Sequence, residues 1–318
     1  MEEEVGLVKI QIVNLIKTAE SFAGIEVHLP IGSKLVKLNY SQDQFVDILR
    51  KLQQKDVHEV YILAEDCKKI ISQVQESLSS KSFYDPNTTD EQRVETVDRA
   101  MATVKNIINQ LGVDVETVNL LKNINTRAMN LLSESPSIFS FIKRFKKNCS
   151  EEFLRSILTS YVMSLAIDQF DWKSKAVKEK GALASLLCDL MLSKEDFDTL
   201  HKWNRPYAEL PEHIRRHPLE IAERLRSKGN LIPLETITII EQHHEIPDGS
   251  GYPLKIDGGR FNQLSSIFIV SQQFIQELVN VNFDYEQRHI ILNNLQKKYG
   301  SGKSFEKALD SLVRVVGI

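Results

Sequence analysis

The chain has 318 residues, a formal net charge of −3 at pH 7, and 42% hydrophobic and 26% charged residues. This is the profile of a soluble globular protein with enough chain for one large domain or two ordinary ones. The balanced charge gives no reason to expect a nucleic-acid polymer as partner, and no apolar run approaches the roughly 20 residues that cross a bilayer. An acidic N-terminus and three cysteines without framework spacing are typical of a cytoplasmic protein.

Residues 1–82 are predicted to form a smaller mixed α/β domain. Apolar side chains follow helical spacing over residues 4–20, and further helices are expected from Ser41 to about Gln54 and after Glu65. Period-two alternation or a short apolar run marks the expected strands, which are residues 25–29, 34–40 and 59–63.

The rest of the chain is predicted to be helical, so that the fold as a whole is mainly α. Residues 80–90 are rich in turn-forming side chains and are the best candidate for a linker. Beyond them, apolar side chains recur with the three-four spacing of buried helix faces, with little strand signal. We therefore expect a linker and helical connector over residues 83–147 and an all-helical domain over residues 148–318.

The most informative segment is residues 243–253, which read HHEIPDGSGYP. Two adjacent histidines and two carboxylates lead into a Gly-Ser-Gly turn that ends in Tyr252-Pro253. Histidine is the commonest metal ligand, and neighbouring acids often orient it. A glycine-rich turn beside such a group lets a ligand approach the backbone closely. The segment therefore indicates a metal site with an adjacent binding turn.

Other residues are candidates for the same site. Asp189 lies inside an apolar segment that is predicted to be helical, and burial of an aspartate there is costly unless it is paired or bound to a cation. His217-Pro218 is expected to begin a helix, Glu152 lies at the start of an earlier helix, and Gln272 lies in a predicted amphipathic helix. Taken singly, each also has an ordinary interpretation as a helix start or a surface residue.

Together these residues resemble the HD-GYP family, a bacterial branch of the HD superfamily of metal-dependent phosphohydrolases, over roughly residues 148–318. Its signature is an HD dipeptide, a His-Pro, the string HHE-x-x-DGxGYP and an aspartate in a later helix. This chain has His217-Pro218 and the whole string, and Cys188-Asp189 stands at the HD position. Residues 60–66, which read VYILAED, also resemble the mixed domain that precedes HD-GYP modules in some predatory and related proteobacteria. This implies a regulatory or sensory role for residues 1–82.

The resemblance implies a bacterial signalling protein of cyclic di-GMP metabolism. Family members that hydrolyse cyclic di-GMP hold two or three metals, which activate a water and stabilise charge on the phosphodiester. The implied metal ligands are Asp189, His217, His243, His244 and Glu152. The residues implied to bind the nucleotide are Gly249, Gly251, Tyr252 and Pro253. If the domain is active, Asp189 and Tyr252 are the implied catalytic residues.

Several positions depart from the family pattern. Cys188 replaces the histidine of HD, and Gln272 replaces the distal aspartate. The lysine that follows the HD helix in the family and two arginines near the motif are also replaced, by Met191-Leu192, Ile246 and Ser266. A neutral amide is a poor substitute for an anionic ligand, and a thiolate prefers softer metals. We therefore expect one transition metal, namely iron, manganese or zinc, rather than a full dinuclear centre.

Three interpretations remain open. The first is a degenerate HD-GYP protein with little or no phosphodiesterase activity. It would bind cyclic di-GMP or a related dinucleotide, or a diguanylate cyclase or other signalling protein through its GYP surface. The second is an active cyclic di-GMP phosphodiesterase with an altered centre, in which Cys188 is a ligand and Glu152 supports a second metal. The third is a structural helical module with empty histidines. No membrane association is expected, and the oligomeric state is left open.

Overall fold

The computed structural model describes residues 6–17, 25–32, 34–79, 81 and 83–317. The chain divides into two compact units, residues 1–127 and 128–318. This boundary lies inside the segment 83–147, for which the sequence predicts a linker and helical connector. The predicted domain limits and the regulatory role of the first domain stay predictions.

The first unit combines a small sheet with helices. Its strands are β1 (Leu7–Gln11), β2 (Val27–Ile31), β3 (Lys34–Lys37) and β4 (Glu59–Leu63). Its helices are α1 (Ile12–Lys17), α2 (Gln42–Gln53), α3 (Ala64–Ser79), α4 (Asp90–Leu111) and α5 (Val115–Glu134), the last of which continues into the second unit.

The sheet is antiparallel at every pairing, with the strand order β1-β4-β2-β3. Alternate residues of β1 and β4 are buried, namely Val8, Ile10, Val60 and Ile62. Helix α3 packs against β4, and α4 packs against β1. One face of the sheet is therefore apolar and supports the core of this unit, as period-two alternation predicts.

The segment 4–20 is not the continuous helix that its spacing predicts. In its described part, β1 pairs with β4, and only α1 is helical. Val8 and Ile12 fit a helical spacing, but Val8 and Ile10 also fit the period two of a strand, so that pairing with β4 decides the outcome. Residues 4, 5 and 18–20 lie outside the described residues.

The second unit is a bundle of helices. They are α6 (Ile138–Phe145), α7 (Glu151–Ile167), α8 (Lys175–Leu187), α9 (Lys194–His201), α10 (Glu212–Arg226), α11 (Leu234–Gln242), α12 (Gln263–Asn280), α13 (Arg288–Tyr299) and α14 (Lys303–Val316). Helix α7 packs against α8, α12 and α14, and α11 packs against α8 and α10. The C-terminal ends of α8 and α11 and the middle of α10 supply the site described below.

The predicted fold class is confirmed: the chain is mainly helical, with a small mixed unit at its N-terminus. The predicted strand at residues 59–63 has the same limits as β4. Within the described residues, every helix is too short or too polar to cross a lipid bilayer.

Candidate metal centre

Four side chains converge inside the second unit. The ligand atoms of Asp189, His217, His243 and His244 all lie within 4.8 Å of one another. Asp189 Oδ1 lies 3.2 Å from His217 Nε2 and 3.5 Å from His243 Nε2. The two Nε2 atoms are themselves 3.2 Å apart. Three helical segments that are distant in sequence thus bring one carboxylate and three imidazoles to one point.

The orientation of His217 depends on the proline that follows it. Helix α10 begins at Glu212, so His217-Pro218 lies within the helix, and the prediction that it begins one is wrong. Pro218 has no N–H to donate to the carbonyl of Ile214 four residues earlier. His217 Nδ1 donates to that carbonyl instead, at 2.6 Å. This bond satisfies the free carbonyl and directs the unprotonated Nε2 toward the cluster.

The two adjacent histidines lie where α11 ends. His243 is the C-cap residue, and its Nδ1 donates to the carbonyl of Ile240 at 2.6 Å. The ring of His244 stacks on Tyr252, with ring centroids 4.7 Å apart. Adjacent residues of a regular helix point about 100° apart, but beyond the last helical residue both rings can face one point.

Asp189 also lies beyond its helix. The sequence predicts it inside a helical segment, but α8 ends at Leu187 and Cys188 is the C-cap residue. The segment is apolar because it is buried on all sides, and burial does not distinguish a helix from the turn that follows it.

The ligand atoms of the cluster require a cation. Because Nδ1 of His217 and Nδ1 of His243 donate to carbonyls, their Nε2 lone pairs face each other and the carboxylate. Asp189 Oδ1 and His244 Nε2 are buried without a hydrogen-bond partner. Burying such acceptors together is costly unless a proton or a metal lies between them. One carboxylate and three imidazoles are a donor set that suits zinc, iron or manganese. The residues therefore fit a metal ion.

The protonation states agree with this interpretation. Burial lowers the pKa of His217 and lowers that of His244 strongly, so both rings are neutral at pH 7. The neutral imidazoles of His217 and His244 are in the form that binds metals.

The other oxygen of Asp189 faces a different environment. Oδ2 lies 3.9 Å from Nε2 of His201, a nitrogen that is buried without a hydrogen-bond partner. Burial lowers the pKa of His201 to about 4, so its ring is neutral at pH 7. A cavity on this side has about 20 Å³ of room. That is enough for one water molecule, which could bridge the two groups.

Cys188 and Gln272, two of the residues that depart from the family pattern, line this cavity and contact each other. Gln272 Nε2 donates to Cys188 Sγ at 3.8 Å. Burial raises the pKa of the Cys188 thiol well above its usual range, so the thiol is neutral. Glu152 also lines the cavity and does not belong to the four-residue cluster. Asp189 therefore separates a side rich in metal ligands from a side whose amide and thiol are uncharged.

The GYP segment is held by a buried acid. Both carboxylate oxygens of Glu245 accept backbone N–H groups, from Leu254 at 2.5 Å, Lys255 at 3.0 Å and Ile256 at 3.1 Å. Glu245 is fully buried, and burial raises its pKa. The carboxylate thus ties the far end of the loop to the residue that follows the two histidines.

The residues predicted to bind the nucleotide form this loop. Gly249 has a φ of 79°, and the Tyr252–Pro253 peptide bond is cis. Tyr252 is 1% exposed, and its hydroxyl has no hydrogen-bond partner. Its ring packs against apolar side chains, namely Leu192, Phe197, Leu200, Leu210 and Ile214. Tyr252 supports the ring of His244 from within the core.

Gly251 is required by a close approach of two backbone segments. A Cβ at this position would overlap the backbone of Glu245 and Ile246. We expect Gly251→Ala to lower the free energy of unfolding by about 2 kcal/mol, since neither segment can move without breaking the Glu245 contacts. Gly259→Ala is the matched control, because its Cβ would meet Asp257 Oδ1 at 3.6 Å, an ordinary contact. Urea denaturation of both variants measures the difference, and equal stabilities would contradict the packing argument.

Sequence analysis missed His201 and Arg155. Arg155 is buried and lines the same cavity as Asp189, Cys188 and Gln272. The only sequence signal for Arg155 is the i, i+4 spacing from Glu151, which is common on helix surfaces. His201 stands at the end of a short helix without a motif. Only the packing of the bundle brings both to Asp189.

Fold and site together define a class of protein: a helical bundle in which a His/Asp cluster that could hold a metal ion is followed by a Gly-Tyr-Pro loop. No family model and no curated protein sequence matches the chain. Among solved structures, it is similar to Bd1817, a HDG"Y"P protein from Bdellovibrio bacteriovorus. The TM-score is 0.56 at 16% identity, over 98% of this chain and 100% of that one. The likeness confirms the predicted resemblance at the level of the fold.

Proposed function

We propose that this chain is an HD-GYP-like module of bacterial cyclic-dinucleotide signalling that binds one transition metal and hydrolyses cyclic di-GMP little or not at all. One observation carries the proposal. Asp189 has three histidines on its Oδ1 side, whereas the cavity on its Oδ2 side is lined by a neutral thiol and a neutral amide, Cys188 and Gln272, together with Glu152, Arg155 and His201.

The residues of the cluster have distinct roles in this proposal. Asp189, His217, His243 and His244 hold the metal, which supplies Lewis-acid chemistry when bound. The carbonyls of Ile214 and Ile240 fix the two ring orientations. Tyr252 supports His244 by stacking, and Glu245 fixes the loop that carries Tyr252. Tyr252 is therefore a positioning residue rather than a catalytic one.

The surroundings favour loss of hydrolysis. The cavity beside Asp189 has room for about one water molecule, not for a phosphodiester. Its arginine, Arg155, is bonded to Glu151 and Gln276. Ile246 and Ser266, which stand where the family has arginines, are buried and uncharged. A dianionic dinucleotide is usually held by such cations.

Binding of a partner is the function that remains for the intact loop. Asp248 and Ser250 are exposed in the GYP segment, and Leu254 is 50% exposed beside them. We propose that this surface contacts a signalling protein such as a diguanylate cyclase, or that the module binds a cyclic dinucleotide without cleaving it.

Incubation of the metal-loaded protein with cyclic di-GMP and with its linear dinucleotide tests the proposal. We expect no product in either reaction. Product that forms with the native chain and is lost in His217→Ala would instead establish the alternative, an active phosphodiesterase with an altered centre. The His217→Ala control separates this chemistry from a contaminating enzyme.

The affinity for metal is expected to depend on pH in a defined direction. Burial lowers the pKa values of His217 and His244 below the usual value for histidine, so both rings are neutral at pH 7 and above. As the pH falls, protons compete with the metal and the dissociation constant rises. A Co²⁺ titration at several pH values measures this profile. An affinity that improves toward acid would contradict the proposed ligands.

A further inference from the structure

The side of Asp189 that faces His201 contains a buried cation. Arg155 lines the cavity together with Asp189, Cys188, His201 and Gln272. The side chain of Arg155 is 10% exposed. A buried guanidinium is always protonated, so this side of Asp189 carries a fixed positive charge.

Arg155 is held in place by three short contacts. Its Nε and one terminal nitrogen lie 2.8 and 2.7 Å from Glu151 Oε1, and the other terminal nitrogen donates to Gln276 Oε1 at 2.6 Å. Gln276 in turn donates to the backbone carbonyl of His201 at 3.1 Å. The guanidinium is therefore part of a network that joins α7, α9 and α12.

The ion-pair partner of Arg155 is partly exposed to water. This partner, Glu151, is 50% exposed, so water screens the carboxylate. The cavity itself contributes the carboxylates of Asp189 and Glu152, the imidazole of His201, the Cys188 thiol and the Gln272 amide. A divalent ion in this cavity would face a guanidinium across a region of low dielectric, where repulsion between like charges is strong.

We propose that the charge of Arg155 keeps a second metal ion out of the cavity on the Oδ2 side of Asp189 and thereby limits the centre to one metal. The inference deepens the proposed function, because it rests on the single metal bound by the three histidines. It differs from a simple loss of ligands, in which restoring ligands at positions 188 and 272 would be enough to restore a second metal.

Metal content in a series of variants separates the two explanations. The series is the native chain, Cys188→His/Gln272→Asp, and the same pair combined with Arg155→Met or with Arg155→Lys. Arg226→Met in the same background is the matched control, since Arg226 is 46% exposed and pairs with Glu241 outside the cavity. Each protein is loaded anaerobically with Mn²⁺, its metal is counted, and electron paramagnetic resonance reports whether two Mn²⁺ ions are coupled.

We expect about one equivalent of Mn²⁺ in the native chain and in the double variant. The Arg155→Lys variant and the Arg226→Met control are also expected to bind about one. Only the variant with Arg155→Met is expected to bind two coupled Mn²⁺ ions. Two equivalents in the double variant would overturn the proposal, and so would one equivalent after Arg155→Met. If thermal melting shows that Arg155→Met does not fold, Arg155→Gln replaces it, because the amide can bond to both neighbours. A native chain without metal would refute the proposed function, while the series would still report the effect of Arg155.

Discussion

Replacing His217 by alanine is expected to weaken metal binding by about two to three orders of magnitude. Binding of a structural metal by four ligands contributes about 10–16 kcal/mol, so the share of one ligand is about 3–4 kcal/mol. His217 is 2% exposed, and its Nε2 lies 3.2 Å from both Asp189 Oδ1 and His243 Nε2. Loss of the His217 ring therefore removes a ligand atom that lies close to two of the other ligand atoms.

The same helix provides the control for this substitution. His213 lies one turn before His217 in α10, is 65% exposed and pairs with Asp196. His213→Ala removes a histidine from the helix without touching the cluster, so the dissociation constant for Co²⁺ or Zn²⁺ is expected to stay unchanged. Calorimetric titration of both variants measures the contrast. Similar affinities in His217→Ala and His213→Ala would mean that the metal binds elsewhere.

Glu245→Ala is expected to lower the free energy of unfolding by about 3–5 kcal/mol. Three backbone N–H groups, from Leu254, Lys255 and Ile256, lose the carboxylate that accepts them, and each unsatisfied donor costs about 1–3 kcal/mol. The substitution also leaves a cavity in a fully buried position. The effect is large because the one carboxylate of Glu245 accepts from all three of these loop residues.

An exposed glutamate of α11 is the control. Glu235 pairs with Lys180 at 2.5 Å but is 53% exposed, and such surface pairs contribute about 0–1 kcal/mol. Urea denaturation followed by circular dichroism compares Glu245→Ala with Glu235→Ala. A Glu245 variant as stable as the Glu235 variant would show that the loop is held by its apolar contacts alone.

The sequence predicts local structure correctly where the residue pattern of a segment agrees with the packing of that segment in the fold. β4 has the predicted limits because a short apolar run between polar turns suits a buried strand. Thr89 caps α4 with a full capping box, a local signal that needs only the side chains of Thr89 and Gln92. The histidines of the HHE string meet Asp189 and His217 because each lies in a segment whose packing follows from apolar spacing.

Other features required the tertiary structure. β1 satisfies both helical and strand spacing, so only its pairing with β4 decides between them. The place of Pro218 inside α10 depends on a side-chain bond from His217 that replaces the missing backbone donor. Arg155 has no motif, and its approach to Asp189 arises from the packing of α7 against α8 and α12. The spacing of residues along one helix does not show which charged side chains of the other helices will lie beside them.

Metal stoichiometry of the native chain tests the central claim most directly. The protein is loaded anaerobically with excess Fe²⁺ or Mn²⁺, desalted, and its bound metal is counted beside Asp189→Ala. The account predicts about one equivalent in the native chain and almost none in the variant. Two equivalents in the native chain, or one that survives in Asp189→Ala, would contradict it.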